Sequence, residues 1–99
     1  MELGKIVGQV ITTVREDKLP TCSLLLVALC DPAGQPTGME HVAVDPLGAG
    51  EGELVLLSRG SSARQGFSHH TPVDLCIVGI VDEVTGAGNV YYTKAGHRS

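Results

Sequence analysis

Short apolar runs alternate with glycine- and proline-rich breaks along this 99-residue chain, a rhythm that predicts strands joined by turns. Residues 4–14 read as a first strand. Ile6, Gly8, Val10, Thr12 and Val14 line one face, and Lys5, Val7, Gln9, Ile11 and Thr13 the other. Gly8 in mid-strand predicts a bend or a close backbone approach. After a polar connection at 15–23, LLLVALC at 24–30 is a second strand, and DPAGQPTG at 31–38 has the composition of a loop. Short strands follow at 39–44 and 54–58. Between them Gly48, Gly50 and Gly52 alternate with Ala49 and Glu51, which predicts a tight turn. Ser61 or Ser62 is placed to cap a short helix running towards Phe67, ended by Gly66 and SHHT and blocked by Pro72. A fifth strand is expected at 75–81, a turn at 85–88, a short sixth strand at 90–93 and a frayed tail at 95–99.

One feature of the pattern reaches beyond secondary structure. A sheet with one wet face alternates apolar and polar residues. LLLVALC, LVLL and LCIVGIV are instead apolar on both faces. One short helix cannot cover so much outer surface, so the pattern predicts an obligate oligomer whose copies cover one another.

Composition narrows the function classes. The net charge is −4, with 18% charged residues, against the basic stripe of a nucleic-acid binder. Phe67, Tyr91 and Tyr92 are the only aromatic residues, too few for base-stacking platforms. No run approaches the ~20 apolar residues that span a bilayer, and the N-terminus lacks a signal-like apolar segment, so a soluble cytosolic chain is expected. Cys22, Cys30 and Cys76 are odd in number and form no C-x-x-C pair, which argues against a disulfide framework.

Candidate chemistry is weak throughout. GAGEGE lacks the Gly-Lys-Ser/Thr of a phosphate loop and leads into a strand, so it reads as turn chemistry. Ser61 and Ser62 could act as nucleophiles with His69 or His70, but no G-x-S-x-G elbow is present, and serines here read as caps. His41, His69, His70 and Cys76 lack zinc-ligand spacing. Asp74 and Asp82 lie at opposite ends of one strand, too far apart for acid–base work. They read as strand ends or as partners for Arg59 or Arg64, an Arg–carboxylate pair across a subunit boundary being one form of this.

Five segments together carry a resemblance: LGKIVGQVITT (3–13), LLLV (24–27), VAVDPLGAGEGELVLL (42–57), GSSAR (60–64) and PVDLCIVGIVDEV (72–84). In order and spacing the chain is similar to the pentameric vertex proteins of bacterial microcompartments, the family of the carboxysome vertex protein and its ethanolamine- and propanediol-type relatives. The resemblance implies an all-β fold, a small five-stranded OB-like barrel with one short capping helix. It implies a single domain over 1–99, with the barrel in 1–94 and a flexible tail at 95–99, closing as a cyclic homopentamer. The implied role is structural: to cap the vertices of a shell in the cytoplasm beside hexameric shell proteins. No enzyme activity, cofactor, metal, nucleic acid or membrane is implied. A five-fold ring needs a patch that meets a different patch on the next copy. Gly48, Ala49, Gly50, Gly52, Ser61, Ser62, Arg64 and Asp74 are the residues expected at that interface or near the axis. Two other readings compete: an OB-like module for a small ligand or nucleic acid, marked by a basic concave face, and a metal-dependent hydrolase using His69 and His70.

Overall fold

The structure is a computed structural model and describes residues 1–15, 17, 21–60 and 74–94. The described residues form seven strands: β1 (Glu2–Val10), β2 (Ser23–Cys30), β3 (Pro36–Asp45), β4 (Leu54–Arg59), β5 (Leu75–Ile80), β6 (Glu83–Gly86) and β7 (Asn89–Thr93). The first five close a barrel in the order β1-β2-β3-β5-β4, and β6 and β7 form a separate two-stranded sheet. All neighbours in the barrel are antiparallel except β3 and β5, which meet in parallel at Val44 and Cys76. The helix expected from Ser61 or Ser62 lies outside the described residues, as does the tail at 95–99.

The barrel interior holds Ile6, Leu25, Val27, Ala43, Val55, Leu57, Leu75 and Ile77, with Leu29, Ala49 and Ile80 at its margins. These residues alternate along each strand, as the two-residue period requires. Register partners such as Ile6 and Val27, or Leu25 and Ala43, therefore share the inner side. The irregularity predicted at Gly8 is present: the β1–β2 register shifts between Ile6 and Gly8, which makes Gln9 rather than Gly8 the partner of the inner Leu25. A second shift, between Leu56 and Leu57 on β4, leaves Val78 of β5 without a partner and 44% exposed.

Several boundaries differ from the sequence reading, each for a local reason. β1 ends at Val10 and not at residue 14, because its last partner is Leu24, near the start of β2. Ile11 and Val14 continue the apolar alternation but are 82% and 86% exposed, having no strand to pair with. β3 starts at Pro36 rather than 39, because Asp31 closes the preceding turn early. Its Oδ1 accepts from the Ala33 and Gln35 amides at 2.9 and 3.0 Å. A proline is compatible with the first position of a strand. Thr85 and Gly86 belong to β6, not to a turn. The reversal is confined to Ala87 and Gly88, both with positive φ (51° and 81°), the conformation that two-residue hairpins require.

Candidate assembly surface

The connection between β3 and β4 carries four of the expected interface residues, and its shape is set by one carboxylate. Asp45, the last residue of β3, is only 4% exposed. Its Oδ1 accepts from the amides of Leu47 and Gly48 at 2.9 and 3.1 Å, and its Oδ2 from Ala49 at 2.7 Å. Three otherwise unsatisfied amides thus converge on one buried anion, the arrangement that makes burying a charge tolerable. Gly48 has φ +86°, a conformation that a side chain would strain, while a Cβ there would meet nothing within 4 Å. Ala49 is turned inward against the core.

The far half of the turn is tied to the β1 irregularity. Gly52 donates to the Ile6 carbonyl at 2.8 Å and Ile6 donates to the Glu53 carbonyl at 2.9 Å. Glu53 accepts from the Gly50 amide at 2.5 Å and pairs with Lys94, beyond β7, at 2.7 Å. The Lys94 hydrogen bond, followed by the Gly50 amide, lowers the pKa of the Glu53 carboxyl. Gly48, Ala49, Gly50 and Gly52 therefore form one ordered turn at one end of the barrel. Between that turn and β1 lies a cleft of ≈ 280 Å³ bordered by Gly8, Gln9, Ser23, Asp45 and Glu51. Its charged border residues are acidic, the reverse of the basic face that would mark a nucleic-acid module.

Arg59 does not pair with Asp74. Its guanidinium bonds instead to the Glu2 carboxylate, linking the start of β1 to the end of β4, and this lowers the pKa of the Glu2 carboxyl. Asp74 is exposed just before β5, and its carbonyl accepts from the Gly60 amide at 3.1 Å. Ser61, Ser62 and Arg64 lie outside the described residues, with His69 and His70. Among the described residues no group of three or more His, Cys, Asp or Glu could hold a metal ion. Among the described residues no helix is long and apolar enough to cross a membrane.

The doubly apolar strands resolve into two outward surfaces. Leu24, Val44 and Cys76 form a buried outer cluster, joined by Val10 and Cys22. Leu54 is also covered (1% exposed), beside Gly34 and Tyr92. By contrast Val42 is 49% exposed and its outward partner Leu26 is half-buried. Leu47 is 50% exposed at the turn. The expectation that burying the outer face needs another copy is thus narrowed: the chain covers part of that face itself and leaves Leu26, Val42 and Leu47 as the remainder.

Asp45 is the residue that sequence reading missed. The available signal was an aspartate placed just before Pro-Leu-Gly, with its acceptor oxygens in reach of the following amides.

The model of the family described as "Ethanolamine utilisation protein EutN/carboxysome" matches residues 1–82. The bacterial microcompartment shell vertex protein EutN of Escherichia coli K12 is 50% identical over 95 residues, covering 95% of this chain and 100% of EutN. The solved structure of Gloeobacter violaceus CcmL superposes with a TM-score of 0.88 at 41% identity, covering 96% of this chain and 99% of CcmL. GrpN from Rhodospirillum rubrum, described as a pentameric microcompartment shell protein, superposes with a TM-score of 0.79 at 44% identity, covering 88% of this chain and 100% of GrpN.

Proposed function

The chain belongs to the EutN/CcmL family, and from that membership we propose that five copies close into a ring that occupies the vertices of a polyhedral protein shell. It is a microcompartment shell vertex protein, at home in the shell of a bacterial microcompartment within the cytoplasm. Its work is geometric, not catalytic: a five-fold unit set among hexameric shell proteins introduces the curvature that closes a flat sheet.

The observation that carries this reading is the near full-length match to EutN at 50% identity. The open outer rung at Leu26 and Val42 supports it, since a closed ring needs an apolar patch for the next copy to cover. The closed strand order with its single parallel β3–β5 pair supports an OB-like topology. Gly48, Ala49, Gly50, Gly52 and Asp74, with Ser61, Ser62 and Arg64, remain the residues we assign to the subunit boundary or the axis. An ordered turn held by Asp45 is a suitable contact, because a pre-shaped surface loses little entropy on docking.

Native mass spectrometry of the purified chain at micromolar concentration tests the ring. A dominant five-chain species is expected, and a stable monomer would overturn the proposal. Gly50→Val then tests the turn's place in the boundary. The five-chain fraction should fall, and an unchanged fraction would move the turn out of the interface.

A further inference from the structure

Cys22 and Cys76 come from distant parts of the chain and share one apolar cluster on the outer side of the barrel. Val44 pairs with Leu24 on one side and with Cys76 on the other, so these three side chains form a row across β2, β3 and β5. β3 leaves the sheet after Asp45, whose carboxylate bends the chain into the turn. The next outward position beside Leu24 is therefore free of strand, and Cys22 folds onto the cluster there with Val10. Arg15 Nη1 holds the Cys22 carbonyl at 3.1 Å, fixing the backbone that presents the thiol. Both thiols are free, Cys22 half-buried and Cys76 buried.

We propose that Cys22 and Cys76 are a redox-responsive thiol pair that closes reversibly into an intrachain disulfide and tethers the connection before β2 to β5. The half-buried Cys22 is the attacking group. Its thiolate displaces one thiol from a small disulfide such as oxidised glutathione and forms a mixed disulfide. Cys76 then loses its proton to solvent and attacks the Cys22 sulfur, expelling the second thiol. Two protein thiols are oxidised and one small disulfide is reduced to two thiols. The order follows from the surroundings: burial, then the Cys22 thiol, then the Asp45 carboxylate raise the pKa of Cys76, which suits it to resolve the mixed disulfide and not to start the exchange. Cys30 lies at the opposite end of β2 from Cys22, and burial followed by Asp31 raises its pKa. With no thiol beside it among the described residues, it can only hold an adduct, and it serves as an internal contrast.

The test uses the full chain carrying Cys30→Ser, treated under native conditions with oxidised glutathione at mildly alkaline pH. The intact mass should fall by two hydrogens with no glutathione retained. Peptide mapping should link the Cys22 and Cys76 peptides, and dithiothreitol should restore the starting mass. The oxidised chain should also unfold at a higher temperature, by roughly 10 °C, because the cross-link restrains the unfolded state. Adding Cys22→Ser to this background should abolish both the mass change and the thermal shift. A retained glutathione adduct, a chain-to-chain disulfide or an unreacted mass in the Cys30→Ser protein would each overturn the proposal. These readouts concern one chain and are independent of the number of copies in the ring.

Discussion

Two adjacent rungs on the outer side of the β2–β3 ladder meet opposite fates. At the first, Leu24 and Val44 are 7% and 4% exposed; at the next, Val42 is 49% exposed and Leu26 half-buried. All four are apolar and all point outward, so hydropathy does not separate them. What differs is the neighbours. The first rung is continued by Cys76 on β5 and covered by Val10 and Cys22. Two residues back along the parallel pair stand Val42 and Asp74, where β5 has not yet begun. On the β1 side Leu26 faces Gly8, which offers no side chain. The chain covers one patch by itself and leaves the other exposed.

Truncation should break this comparison most sharply at the covered rung. Leu24→Ala should cost about 2–5 kcal/mol in chemical denaturation, through lost burial and the cavity left behind. Val42→Ala, one rung away, should stay within about 0.5 kcal/mol for the isolated chain; equal costs would show that the two rungs do not differ. Asp45→Ala should cost about 1–3 kcal/mol by orphaning three amides, with faster hydrogen exchange at Leu47, Gly48 and Ala49. Unchanged exchange there would remove Asp45 as the anchor of the turn. Val42→Asp sharpens the contrast differently: it should leave the fold of one chain intact yet deplete the five-chain species in native mass spectrometry, because a charge would be buried by the neighbour.

The smallest effect is on pH dependence. Glu2 and Glu53 have folded pKa values below their ordinary 4.5, owing to Arg59 and Lys94 respectively. Their contribution is therefore complete above pH 4.5 and lost as the pH falls through the lower folded values. Glu2→Gln should flatten the acid limb of a stability–pH curve slightly, and less so in high salt, since the pair is solvent-screened.

Most of the barrel was legible in the sequence because its strands are marked by runs such as LLLVALC and by glycine breaks. The bend at Gly8 and the turn at Gly48–Gly52 were legible for the same reason: a glycine inside an apolar pattern has few other uses. Strand ends were less so. Ile11 and Val14 keep the strand pattern, but pairing needs a partner, and the partner's position is a property of the whole sheet. Asp45 was hidden because one aspartate before a turn is common, and its burial appears only once β3 and the turn have closed around it. Arg59 found Glu2 rather than Asp74 for a similar reason. β1 and β4 are neighbours in space while 57 residues separate the pair in sequence.

The closed strand order also sets a timetable for synthesis. β1, β2 and β3 form an antiparallel run that can pair as each emerges from the ribosome. Its two borders, β1 and β3, remain open edges until β4 and then β5 arrive. β5 seals two seams at once, one against β3 and one against β4. A nascent chain halted before residue 75 would carry an unsealed apolar edge, the kind of surface that chaperones hold and that aggregates recruit.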